Sequence, residues 1–248
     1  MLAALRERRP VDQPVALVVA HPDDETLAAG GSLPLFRRLL LVHVTDGAPR
    51  RLGDAAREGF ASPADYAAAR ARELEAALAL SGAEPTRIAL GIPDQEATEA
   101  VPAIAARLRM LFAAHGIACA LTHPYEGGHP DHDAVTAAVH AAGSEVFEFT
   151  GYHAGPDGGM RTGVFLEAGD REQITVPLCE SDLQRKRAML ACFQTQRDVL
   201  SRFDPTFERF RRAPAYDFQS PPHPGRLLYE EWGWMSGAAW RKRVRCAA

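Results

Sequence analysis

Val15-Ala16-Leu17-Val18-Val19-Ala20-His21-Pro22-Asp23-Asp24-Glu25 runs from an unbroken apolar stretch straight into an imidazole and three carboxylates. The apolar part reads as a buried strand, and Glu25-Thr26-Leu27-Ala28-Ala29 as the start of a helix. Packing has no use for so many polar groups in a strand-to-helix turn. Left alone, the carboxylates repel one another. A divalent metal ion among them is the simplest remedy.

Outward from this turn, apolar runs and helical patterns alternate. Strands are expected at 15–20, 39–45, 87–90, 117–122 and 146–150. Helices are expected at 25–38, 63–80, 97–115 and 131–142, with Ser62 capping the second and Pro63 in its first position. This order argues for an α/β fold, Rossmann-like, with a mostly parallel sheet and helices on both faces. Beyond residue 150 the order breaks down. Residues 164–166 and 174–176 are expected to pair as antiparallel edge strands, and 181–200 to form a helix. Residues 203–226, rich in Pro, Phe and Arg, are expected to be an irregular C-terminal extension. No linker divides the chain, so one domain over 1–248 is expected.

The chain carries a net charge of −4, with no basic excess to hold nucleic acid. Cys119, Cys179, Cys192 and Cys246 form no CxxC pair, which argues against a disulfide framework or a thiolate zinc site. Cys119, in an apolar run, is expected in the core. Neither a signal peptide nor a membrane span is evident, so a cytoplasmic protein is expected, and a homo-oligomer is left open. The basic run Arg241-Lys242-Arg243-Val244-Arg245 reads as a solvated tail.

The polar clusters all follow strands. His21–Asp24 follow the first, Thr45-Asp46-Gly47 the second, Pro93-Asp94 the third, and His123 to His132 the fourth. The carboxyl edge of a parallel sheet is where open α/β folds bind ligands. His129-Pro130-Asp131-His132 is the partner of the first motif. Its two histidines, three apart at a helix start, share a face. A catalytic zinc site takes three protein ligands and keeps one position open. His21 and Asp24 could supply two ligands, and either His129 or His132 the third. Asp23 and the remaining histidine are then left as an acid/base pair. Two histidines and a carboxylate also suit Fe2+.

Together, Ala20–Glu25 and His129–His132 resemble the motifs of the PIG-L/LmbE family of zinc-dependent N-deacetylases. Arg70-Ala71-Arg72-Glu73 and Ile92-Pro93-Asp94 are weaker points of similarity. The resemblance implies Zn2+ held by His21, Asp24 and His132, with Asp23 as general base for the metal's water. It implies that His129 stabilises the oxyanion or protonates the leaving amine, held by Asp131, whose charge should favour the imidazolium. Arg70 and Asp94 match substrate contacts. The implied substrate is a small N-acylated amino sugar or glycoconjugate, the acyl group being acetyl. One departure stands out: some members carry a tyrosine two residues before the first histidine of the second motif, where this chain has Gly127. Tyr125 lies two residues further back. An amidase acting on a larger amide conjugate and a metal-dependent phosphoesterase are the rival activities. The second calls for two metals about 3.5–4 Å apart.

Other polar residues have plainer expectations. His43 belongs in the core, His140 on a helix surface, and His115 at a helix end. His123 closes the fourth strand beside the site, and Tyr152 and His153 reach the same edge. Trp232, Trp234 and Trp240 are expected to pack the C-terminal segment, against the alternative that one of them stacks on a sugar. Residues 48–61 form a lid or an exposed loop.

Overall fold

In the computed structural model, which describes residues 1–166 and 172–246, strand β1 (Val15–Val19) is buried along its whole length. Val15, Leu17 and Val19 join one core, while Ala16, Val18 and Ala20 join another on the opposite face. A strand covered on both faces needs no polar alternation, which is why β1 reads as a continuous apolar run. β2 (Leu39–Pro49) and β3 (Thr86–Asp94) extend the sheet on one side of β1, and β4 (Cys119–Thr122) and β5 (Glu145–Phe149) on the other, all parallel. β6 (Tyr152–Ala154) and β7 (Met160–Thr162) form a separate antiparallel ribbon. β8 (Gln173–Pro177) and β9 (Phe207–Arg212) complete the main sheet, giving the order β3-β2-β1-β4-β5-β9-β8.

The helices are α1 (Leu2–Arg6), α2 (Asp24–Ala29), α3 (Gly53–Arg57), α4 (Pro63–Leu80), α5 (Val101–His115), α6 (Pro130–Ala142), α7 (Glu180–Leu190), α8 (Arg197–Leu200), α9 (Leu228–Glu231) and α10 (Gly237–Cys246). Ala29 of α2, Leu78 of α4 and Met189 of α7 cover one face of the sheet. Leu108 of α5, Val139 of α6 and Trp240 of α10 cover the other. The α/β architecture expected from the alternation is therefore present, with a mostly parallel sheet and helices on both faces. The chain leaves β1 for β2 and β3 on one side and returns to β4 on the other. That reversal opens a crevice at the carboxyl ends of β1 and β4.

Several local expectations are corrected. The helix expected over 25–38 stops at Ala29, because Gly30 and Gly31 follow and Pro34 leaves only a short 3-10 turn at Leu33–Leu35. The helix expected over 181–200 breaks after Leu190. Phe193 turns into the core there, and both the N–H and the hydroxyl of Thr195 bond Glu73 on α4. Residues 203–226 are not irregular throughout, since 207–212 form β9. Ile174 and Val176 pair with β9 rather than with 164–166. The run at 241–245 is helical rather than a tail: it lies in α10, where Lys242, Arg243 and Arg245 are exposed as expected, Val244 is buried and Arg243 pairs with Glu99 at 2.9 Å. His140 packs its ring against Tyr216 and Phe218 instead of lying on the surface. Cys119 is buried, as expected, and the side chain of Cys246 lies outside the described part. Among the described residues no helix is long and apolar enough to cross a membrane.

Candidate active site

The turn after β1 is held in an unusual conformation. Asp23 has φ +135°, a region that costs a non-glycine residue on the order of 1–3 kcal/mol. Its surroundings fix it there. Glu25 Oε2 accepts from the Asp23 N–H at 3.1 Å and also meets His43 Nε2 at 3.0 Å. Arg70 of α4 donates to Asp23 Oδ2, to the Pro22 carbonyl and to the Gly47 carbonyl at 2.7–2.8 Å. Arg70 is therefore buried and held within the protein while it also lines the cleft, whereas Arg72 is exposed. His43 is in the core as expected, and it serves to brace Glu25.

Three donors meet across the crevice. His132 Nε2 lies 3.2 Å from His21 Nδ1, His21 Nδ1 3.3 Å from Asp24 Oδ2, and His132 Nε2 3.5 Å from Asp24 Oδ1. Ligands bound tetrahedrally about 2.0–2.1 Å from zinc stand about 3.3–3.4 Å apart; the separations here are of that size, with the two histidines reaching different oxygens of Asp24. Three overlapping groups among the described residues keep their donor atoms within 4.8 Å of one another: His21, His129 and His132; His21, Asp94, His129 and Asp131; and Asp24, His123 and His132. His123 Nε2, however, already accepts from the Ala20 N–H at 3.0 Å, and its ring stacks on His132 at 3.9 Å. His129 Nδ1 accepts from the Asp131 N–H at 3.1 Å.

The far side of His21 is held by carboxylates. Its Nε2 lies 3.1 Å from Asp94 Oδ1 and 3.5 Å from Asp131 Oδ2. Partners of this kind orient a metal-binding imidazole and raise its basicity. Asp94 thus meets His21 and also lines the cleft where a substrate contact was expected. The Asp131 carboxylate likewise does not hold His129: it accepts from the N–H groups of Gln95 and Ala97. Only the Asp131 backbone touches the His129 ring. Burial then pushes His129 well below its ordinary pKa, with His21 adding to the effect and Asp94, 3.7 Å from its Nε2, opposing it.

Adjacent carboxylates are driven apart. Burial pushes Asp23 up to about 8 against the pull of Arg70. Burial also opposes ionisation of Asp24, yet His132 and His123 hold it well below the usual carboxylate range. One carboxylate is suited to holding a cation and its neighbour to exchanging a proton.

These groups form the floor of a cleft of about 480 Å³. Asp54 and Arg57 of α3 line it, so the segment 48–61 borders the site. Tyr152 lines it too, 5.3 Å from His132, while His153 bonds the Ala154 carbonyl. Tyr125 does not stand in for the tyrosine missing at 127. Its ring stacks on Trp240 and its hydroxyl donates to the Ser220 carbonyl at 2.9 Å. Trp240 packs as expected, but Trp232 and Trp234 line the cleft. Phe203 and Gln196 do so as well; neither carried a signal in the sequence.

The profile of the family described as "PIG-L: GlcNAc-PI de-N-acetylase" matches residues 16–143, just over half of the chain. The chain belongs to this family. The match takes in both motifs and ends before the Trp232–Trp234 segment. Among curated proteins none matches the sequence. Several solved structures share the fold. A deacetylase triple mutant (Orf2*T) of the teicoplanin biosynthetic pathway superposes with a TM-score of 0.63 at 15% identity, covering 83% of this chain and 99% of that one. For N,N'-diacetylchitobiose deacetylase from Pyrococcus horikoshii the TM-score is 0.54 at 16% identity, with 81% and 79% covered. The 4-carboxy-2-hydroxymuconate hydratase from Pseudomonas putida KT2440 gives 0.57 at 16%, with 83% and 98% covered. A deacetylase fold and a hydratase fold are thus both similar, so chemistry has to be argued from the site.

Proposed function

We propose that the protein is a metal-dependent N-deacylase that removes an acetyl group from an N-acylated amino sugar or glycoconjugate. His21, Asp24 and His132 would hold the ion, zinc or ferrous iron. The observation that carries this reading is the convergence of both motifs on one cleft floor, with Asp23 beside the donor triangle but outside it. When bound, the ion supplies a Lewis acid for the amide carbonyl and lowers the pKa of a water from about 16 to about 7.

The protein's own groups supply the rest. Asp23, raised to about 8, is matched to taking a proton from the attacking water and returning one to the departing amine near neutral pH. Arg70 keeps Asp23 in place through its three bonds. With His129 Nδ1 accepting from a backbone N–H, the ring proton is assigned to Nε2. A donor there can stabilise the oxyanion of the tetrahedral intermediate. Asp94 and Asp131 hold His21 in orientation. The chain would work as one catalytic domain in the cytoplasm.

The test is a screen of the purified, zinc-loaded protein on N-acetylglucosamine derivatives, larger amide conjugates and phosphate monoesters. Released amine or phosphate is read alongside metal content. Amine release with about one ion per chain is expected. Phosphate release with two ions per chain, and no amine, would overturn the proposal.

A further inference from the structure

Two indoles face the cleft that the proposed chemistry does not use. Trp232 and Trp234 each keep 40% of their surface exposed and both line the cleft, whereas Trp240 is fully buried. Their rings lie 4.8 Å apart, inclined by 58°. Trp234 meets His129 at 4.8 Å, Trp232 meets Tyr152 at 6.0 Å, and Tyr152 meets His132 at 5.3 Å. The aromatic series therefore begins and ends on the two histidines of the second motif.

The segment carrying the indoles is fastened to that motif. Glu230 accepts from the N–H groups of Leu227 and Gly237, closing the segment on itself. The Leu228 N–H donates to the Gly127 carbonyl at 2.9 Å. Gly127 has φ +72°, and a Cβ there would come within 2.6 Å of Leu227. A side chain there would be strained by the backbone and would force the Leu227 side chain to shift, so the departure at 127 and the docking of this segment go together. Between the indoles, Gly233 takes φ +71°, a left-handed turn after α9. Apolar surface left open beside a few convergent polar groups is the make-up of a ligand site.

Resting on the N-deacylase reading, we propose that Trp232 and Trp234 form a subsite for a second ring of the substrate. That ring is joined to the reacting amino sugar and presents a flat apolar face to the indoles. An aryl aglycone and a pyranose both offer such a face, and stacking on indole is their shared chemistry. Asp54, Arg57, Gln196 and Arg202 in the same cleft offer polar partners to hydroxyl groups.

Two measurements on the zinc-loaded protein test this. The first compares kcat/KM for N-acetylglucosamine, its β-linked disaccharide and an aryl N-acetylglucosaminide. The second titrates indole fluorescence with the corresponding free amines, which bind without turnover. A two-ring preference of about 2- to 12-fold is expected in both. It should fall toward one in Trp232→Ala and return in part in Trp232→Phe. Whether disaccharide or aryl glycoside leads identifies the source of the ring. Equal handling of one-ring and two-ring compounds, or a preference unchanged in Trp232→Ala, overturns the subsite. If nothing is deacetylated but the two-ring amines still bind better, and lose that advantage in Trp232→Ala, the N-deacylase reading falls and the subsite stands.

Discussion

Replacing Lys186 by methionine should loosen the first motif from a direction its own sequence does not reveal. Lys186 Nζ, on α7, donates to the Leu27 carbonyl at 2.8 Å and to Glu208 Oε1 at 3.0 Å. Glu208, on β9, also accepts from the Gly31 N–H at 2.8 Å. The two side chains are 1% and 0% exposed. The antiparallel half of the chain thus holds the Gly30-Gly31 break that ends α2, the helix bearing Asp24. Lys186→Met keeps the volume of the stem and strips the cation, leaving the Glu208 carboxylate buried against one N–H. Breaking a buried pair from one side costs about 3–5 kcal/mol. In a chain of 248 residues, each kcal/mol lowers Tm by about 2–4 °C, so calorimetry should show a fall of about 6–20 °C. The double variant Lys186→Met/Glu208→Gln removes both charges and keeps an acceptor for Gly31, so it should recover at least half of the loss. Zinc affinity, read by competition with a chelating dye, should drop in the single variant. A loss under about 1 kcal/mol, or a double variant no more stable than the single one, refutes the reasoning.

Three further outcomes are expected. Asp23→Asn should cut kcat by about 10²- to 10⁴-fold with bound metal unchanged by elemental analysis; turnover near wild type would remove Asp23 as the base. Trp240→Ala should cost about 3–5 kcal/mol in denaturant titration, because it empties a buried site stacked on Tyr125 and frees the Pro130 carbonyl; a cost under about 1 kcal/mol would contradict that packing. Burial pushes Glu126 up to about 8 despite the Leu166 N–H and Arg211. Its folded pKa therefore lies above the unfolded value of about 4.3, and the folded state binds more protons between the two. Stability is full below the lower value and is lost as pH rises through the higher one. The Tm of the metal-free protein should decline from pH 5 to 9, and less steeply in Glu126→Gln; identical slopes would exclude this residue as a source.

What the chain discloses on inspection is what depends on near neighbours. β1 is legible because burial on both faces writes an unbroken apolar run, and the site's location is legible because each polar cluster follows a strand end. β9 is not, since Phe207-Glu208-Arg209-Phe210-Arg211-Arg212 looks like surface. Two of its charged residues are buried against groups far away in sequence, Glu208 on Lys186 and Arg211 on Glu148, and hydropathy does not register such pairs. The same limit governs the site. Residues two apart at a helix start do not face each other, so Asp131 meets His21 from the first motif and leaves His129 to a backbone N–H. Gly127 carries the point furthest. As a local substitution for tyrosine it looks like a loss. Once Leu227 is seen resting on it, it becomes the seat of a distant segment that returns aromatic surface to the same cleft.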